Sequence, residues 1–255
     1  MKQIKIKIAH LYYDLMNLYG ENGNIRALKE YFSKQDITAE IHFLTVNDKI
    51  DFDEYDIFYM GMGSELNQLI VLEDLISRKK ELKKAIENNK YFFFTGNSYE
   101  LLGKYIIDFN GNKIKCLNIF DFYTKINTIK DLHNASTFRI VGETVAKTNL
   151  IKEPIIGFQN RAGTIYDNNY PLFEIVHGTG DKPNDIWEGF KYKNFYGTHI
   201  IGPLFIRNPY FTNYFITNII KEKNKNYKLK LINNSIEVKA YKKYLENFKE
   251  LVNPK

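Results

Sequence analysis

Four bulky aromatic residues in a row, Tyr91-Phe92-Phe93-Phe94, run straight into Thr95-Gly96-Asn97-Ser98. A strand with one face in water alternates apolar with polar residues. A run without that alternation needs cover on both faces, the condition of a strand inside a parallel sheet flanked by helices. The neighbouring chain supplies the other parts. Residues 4–11, 38–46 and 56–60 read as strands, and 22–32 and 66–88 as helices. In the first helix Ile25, Leu28, Tyr31 and Phe32 fall at helical spacing, and the second carries a charged outer face from Arg78 to Lys84. Strands alternating with helices predict an α/β fold with a mostly parallel sheet.

Past residue 103 the pattern changes. Asn110-Gly111-Asn112 is a hairpin turn signal, and residues 119–126, 138–146, 155–158, 172–176 and 195–199 read as short strands. Residues 178–184 form a polar loop, and a helix is expected over 211–221. The tail carries Tyr241, Leu245 and Phe248 on one amphipathic face. With no internal repeat and no Ser/Gly linker, the expected division is one domain over 1–222 and a C-terminal connection and helix over 223–255.

Composition excludes several function classes. The single cysteine, Cys116, rules out an intramolecular disulfide and a cysteine-rich zinc site. No apolar run reaches the roughly 18 residues of a membrane span, and the Lys-interrupted N-terminus lacks a signal-peptide core. A cytoplasmic protein without a transmembrane segment is therefore expected. The net charge is +6, but only five of the 36 basic residues are arginine and the lysines are scattered, with one denser stretch over 221–230. Nucleic-acid readers cluster Arg and Lys on one face, so no nucleic-acid partner is expected. His42, His133 and His177 have no Cys or carboxylate at ligand spacing, so no metal is assigned. Gly178-Thr179-Gly180 lacks the Lys-Ser/Thr of a phosphate loop, so neither an ATP site nor another cofactor is expected.

The chemistry is expected where the aromatic strand turns into a short helix, Tyr99–Leu102. A reactive side chain on such an elbow points at a helix N-terminus, whose free N–H groups favour a thiolate or alkoxide. The layout alone is weak evidence, since a plain structural turn is the commoner case.

Five blocks in chain order resemble the GatD family, the glutamine amidotransferase subunits of lipid II isoglutaminyl synthase. The first is HLYYDLMNLYGENGNIRAL, His10 to Leu28. Gly61-Met62-Gly63-Ser64-Glu65-Leu66-Asn67-Gln68 stands against G-G-G-Q-D-x-x-Q, a glycine-rich oxyanion loop. Gly96-Asn97-Ser98-Tyr99-Glu100-Leu101-Leu102-Gly103 stands against C-G-G-Y-Q-L-L-G. Gly157-Phe158-Gln159-Asn160-Arg161-Ala162-Gly163 stands against G-F-E-N-H-G-G. Gly197-Thr198-His199-Ile200-Ile201-Gly202-Pro203-Leu204 stands against G-T-Y-L-H-G-P-L. The resemblance implies a class I glutamine-amidotransferase-like fold, flavodoxin/Rossmann-like, with a helical C-terminal extension. It also implies a Cys–His pair that hydrolyses glutamine and hands ammonia to a Mur-ligase-like partner of the MurT type, which amidates the D-glutamate of lipid II.

The chain departs from that pattern at the catalytic positions. The nucleophile position is Gly96, the histidine position Ile201, and the centre of the oxyanion loop Met62. These departures predict an inactive glutaminase site and leave a scaffold or docking subunit. The former glutamine pocket would comprise Gly61, Met62, Gly63, Asn97, Arg139 and His199, with glutamine or another small ligand as its expected occupant. Two alternatives stay open: a repurposed ligand-binding module unrelated to the cell wall, and an active enzyme with an unconventional nucleophile. Cys116, Thr95 and Ser98 are the side chains weighed for that role, and each has an ordinary structural reading. His10 is expected to be structural, at the carboxyl edge of the sheet.

Overall fold

A computed structural model of the chain describes residues 4–130, 135–230 and 235–252. At its centre lies a six-stranded sheet. β1 (Lys5–Leu11), β2 (Thr38–Leu44), β3 (Ile57–Met60) and β4 (Tyr91–Thr95) join two later strands, Phe190–Tyr192 and Phe195–Thr198. The order across the sheet is Phe190–Tyr192, Phe195–Thr198, β4, β3, β1, β2. All neighbours are parallel except the pair of Phe190–Tyr192 with Phe195–Thr198.

The aromatic run occupies β4, between β3 and Phe195–Thr198, and its side chains are fully or nearly fully buried on both faces. Phe92 and Phe94 point into one core with Phe58, Leu75 and Phe195. Phe93 points into the other, against Phe205, Phe211 and Phe215. Each fully buried phenylalanine contributes roughly 1.5–3 kcal/mol relative to exposure, which fixes this strand at the centre.

On one side α1 (Asn22–Lys34) buries Ile25, Leu28, Tyr31 and Phe32 as its spacing predicts. The long helix expected over 66–88 is two helices, α2 (Glu65–Ser77) and α3 (Lys79–Glu87). They are broken at Arg78, whose φ of −100° and ψ of 3° lie outside the helical well. Arg78 is both the C-cap of α2 and the N-cap of α3, and its guanidinium pairs one turn back with Asp74 (2.9 Å).

The middle of the chain is mostly antiparallel. One four-stranded sheet runs Gly163–Tyr166, Tyr123–Ile126, Tyr105–Ile107, Lys113–Lys115, the last two joined by the hairpin at Gly111. A second runs Ile155–Arg161, Ile140–Lys147, Phe173–His177, Trp187–Glu188. Outside the central sheet the one parallel pair among the described strands is Tyr105–Ile107 with Tyr123–Ile126.

After that sheet come α4 (Leu204–Arg207) and α5 (Pro209–Lys223), then α6 (Ile236–Leu245), whose Ser235 caps its N-terminus. The tail packs back on the body. Tyr241 lies against Tyr210, Val145 and Ile156, its hydroxyl donates to Pro154 O (2.7 Å), and Lys34 pairs with Glu237 (2.8 Å). Among the described residues no helix is long and apolar enough to cross a membrane. His133 lies outside them.

Candidate functional site

The elbow forms where β4 ends. Gly96 sits at φ +63°, a left-handed conformation that costs other residues about 1–2 kcal/mol, and opens a buried 3-10 segment, Gly96–Leu102. Opposite it, the loop after β3 carries Gly61, Met62 and Gly63 into α2, whose N-cap Ser64 accepts from the Asn67 N–H (3.1 Å). Asn97 ties the two together. Its Oδ1 accepts from the Gly63 N–H (3.1 Å) and its Nδ2 donates to the Gly63 carbonyl (3.0 Å). Gln68 Nε2 donates to the Asn97 carbonyl (2.7 Å).

Met62 is buried in this junction. A Cβ built on residue 96 would lie 2.5 Å from Met62 Cβ, 2.6 Å from its Cγ and 2.9 Å from its Sδ. Those separations are well inside carbon van der Waals contact, so the Met62 side chain and any side chain at residue 96 compete for one volume. The Gly63 N–H of the oxyanion-type loop is meanwhile spent on Asn97. A carbonyl at the elbow would find neither a nucleophile nor a free Gly63 donor.

The other hydroxyls and the thiol are occupied. Thr95 Oγ1 bonds to Glu21, and Ser98 Oγ donates to the Thr95 carbonyl (2.7 Å). Cys116 follows the Lys113–Lys115 strand, buried, and burial pushes its thiol up to about 12. A thiol so protonated is a poor nucleophile.

Ile201 is fully buried and exchanges backbone bonds with Phe158, donating to its carbonyl at 2.8 Å. Next to it the Gly202 N–H donates to Glu21 Oε1 (3.2 Å). Glu21 was not singled out in the sequence, yet it is the hub beneath the site. Its other carboxylate oxygen meets Thr95 Oγ1, Tyr59 OH (3.0 Å) and Asn24 Nδ2 (3.3 Å). Burial raises its pKa to about 6, against the opposing pull of those hydrogen bonds. One carboxylate thus joins the ends of β3 and β4 to the turn after Phe195–Thr198.

His199 has both ring nitrogens engaged. Tyr99 OH lies 2.9 Å from Nδ1 and Glu100 Oε1 2.8 Å from Nε2, while the His199 N–H donates to Glu188 Oε1 (2.6 Å). Asp181 and Arg161 complete a wholly buried cluster. The Arg161 guanidinium donates to Gln159 Oε1 (3.0 Å) and to the carbonyls of Gly163, Gly180 and Asp181. Burial raises Glu100 to about 7, and raises Asp181 and Glu188 too, each further lifted by a neighbouring carboxylate. Burial, then the Arg161 charge, holds His199 far below its usual range and so neutral.

Asp181, Glu188 and His199 offer ligand atoms within 4.8 Å of one another. Protein donors already hold them: Asn168 and the Gly189 N–H on Asp181, Thr198 and the His199 N–H on Glu188. With Arg161 among them, the group is satisfied from within. Four more departures from the motifs above, Glu100, Gln159, Arg161 and His199, meet in this cluster.

Arg139 stands apart, on a rim. Its Nη1 lies 2.5 Å from Glu65 Oε1 and its Nε donates to Asn160 Oδ1 (2.6 Å), and Asn160 Nδ2 donates to Tyr19 OH (2.7 Å). It lines a cavity of about 420 Å³ with Gln68, Leu69, Ile106 and Phe109. Of the six residues expected around a glutamine pocket, the structure joins Gly61, Met62, Gly63 and Asn97 at the elbow. Arg139 lies on the rim, and His199 is bound into the acid cluster. His10 is fully buried at the end of β1 among Tyr13, Phe43 and Tyr59, its ring nitrogens without partners. Burial lowers its pKa to about 4.

A parallel sheet with a left-handed elbow after its central strand, faced by a glycine-bearing loop that caps a helix, is the framework of a class I glutamine amidotransferase domain. The family of CobB/CobQ-like glutamine amidotransferase domains matches residues 7–209. The glutamine-hydrolysing lipid II isoglutaminyl synthase subunit GatD of Staphylococcus aureus is 32% identical over 236 residues, covering 92% of this chain and 93% of that protein. The subunit of the same name from Streptococcus pneumoniae is 30% identical over 221 residues, covering 86% and 82%. Among solved structures, PurLQS from Thermotoga maritima shares the fold, with a TM-score of 0.54 at 12% identity over 87% of this chain and 100% of that chain. The chain belongs to the GatD family of CobB/CobQ-like glutamine amidotransferase domains.

Proposed function

We propose that the chain is the GatD-type subunit of a lipid II isoglutaminyl synthase whose own glutaminase site is lost, and that it serves as the docking scaffold for a Mur-ligase-like partner of the MurT type. The observation that carries this reading is Met62. Its side chain fills the volume that a nucleophile's Cβ would need at residue 96. Gly96, Ile201 and the sequestered Gly63 N–H support the same reading, because nucleophile, base and oxyanion donor are all withdrawn. The family membership supports the partner and the acceptor, the D-glutamate of a peptidoglycan precursor. The partner would draw on free ammonia or on ammonia released elsewhere.

The test is to co-express the chain with the Mur-ligase-like protein of its own organism, purify the complex and assay it with ATP and lipid II. The expected result is a stoichiometric complex that amidates with ammonium but neither amidates with glutamine nor releases glutamate from it. Glutamine hydrolysis abolished by one substitution in this chain would overturn the inactive site. Failure to recover any complex would overturn the docking role.

A further inference from the structure

Away from the elbow, a cavity of about 240 Å³ opens beside α3. Its floor is Phe120 and Phe190, both buried, and its walls are Tyr170, which is 53% exposed, and Tyr192. These rings do not stack as a flat pile. Tyr170 stands at 71° to Phe190 and 72° to Tyr192, and Phe120 at 64° to Tyr192, with centroids 5.7–5.9 Å apart in these pairs. Three carboxylates join the lining: Glu87, Asp121 and Asp167.

We infer that this cavity binds a small organic cation, a quaternary or alkylated ammonium group. Aromatic faces carry the negative lobe of the ring quadrupole and attract a cation that sheds little hydration energy on entry. Asp167 supplies attraction at the edge of the rings, and a single unpaired carboxylate is not the converging oxygen set that would select a bare metal ion. The chain already uses this chemistry beside the cavity. The Lys193 ammonium lies 5.8 Å from the Tyr192 ring centroid and binds the Glu87 carboxylate at 2.7 Å. Lys104 pairs with Asp121 at 3.4 Å, and Lys83 stands exposed at the rim. Asp167 has no ion pair among the described residues and is the carboxylate open to a ligand's charge. An anion would meet the unpaired Asp167, and a neutral apolar group would gain nothing from it.

The test is isothermal titration calorimetry of the full chain with tetramethylammonium, choline and the neutral isostere 3,3-dimethyl-1-butanol. Saturable binding of both cations is expected, with the isostere about tenfold weaker. Tyr170→Ala should abolish binding and Asp167→Asn should weaken it severalfold, with unchanged circular dichroism. Co-sedimentation with phosphatidylcholine vesicles separates the sources. Tyr170-dependent capture assigns a lipid headgroup, and its absence beside choline binding assigns a free cation. Equal affinity for the isostere, no saturable heat with either cation, or binding indifferent to Tyr170→Ala would overturn the inference.

Discussion

Gly96 and Met62 are sterically coupled. With no Cβ at 96, the elbow keeps its left-handed turn without steric cost, and the space beside it is filled by a methionine, an unbranched side chain that fits irregular gaps. Restoring the thiol alone should therefore fail. Gly96→Cys carries both the left-handed penalty and overpacking against Met62, and should lower stability by about 2–4 kcal/mol in urea unfolding. It should also stay unlabelled by an electrophilic glutamine analogue. Adding Met62→Gly should recover much of the overpacking share, measured in the same titration. Gly96→Cys with wild-type stability would mean that Met62 leaves this volume freely. The glycine at the elbow and the isoleucine at 201 were legible because each stands in a recognisable block. Met62 was legible only as a departure from the glycine-rich loop. Its contact with position 96, thirty-four residues away, needed the fold.

The secondary elements were legible wherever periodicity was strong. β1 to β4 and α1 fall where the apolar spacing puts them, because a strand buried on two faces and a helix buried on one leave different patterns. The break at Arg78 was hidden, since the sequence keeps helical composition on both sides of it and only the non-helical backbone of Arg78 interrupts the run. α6 is the element whose anchoring is most exposed to test. Tyr241 buries its ring against Tyr210 and spends its hydroxyl on Pro154. Tyr241→Ala should cost roughly 3 kcal/mol by cavity formation, whereas Tyr241→Phe should cost about 1 kcal/mol for the hydrogen bond. Equal, negligible losses in thermal and urea unfolding would show the extension to be loosely attached.

Across the whole molecule, the buried acids couple stability to pH. Glu100 titrates near 7 in the fold and near its ordinary 4.5 when unfolded. Between those values the folded state holds more protons, so stability falls as pH rises. His199 and His10 act in the opposite sense, mainly below the ordinary histidine value of 6.5 and fading over about a pH unit above it, as the unfolded state gives up their protons. Between pH 6.5 and 8 Glu100 by itself should remove about 1 kcal/mol, partly offset by the tail of the histidine effect and by Lys191, whose burial lowers its pKa to about 8 and so works in the histidine sense. Asp181 and Glu188, raised for the same reason, should add to the fall. Urea titrations at both pH values check this, and Glu100→Gln should flatten the slope. A wild-type stability that rises across the interval would contradict the burial of protonated carboxyls.

The chain's own order of residues was enough for the α/β plan, the central aromatic strand, the elbow and the family, because each depends on neighbours within a few positions or on short ordered motifs. Folding was needed to bring Glu21 under Thr95 and Gly202, and to pack Glu100, Asp181, Glu188 and His199 around Arg161. Those groups lie up to 181 residues apart. Nothing local in the chain registers the loss of water that makes their charges matter, so their roles follow from burial and mutual distance.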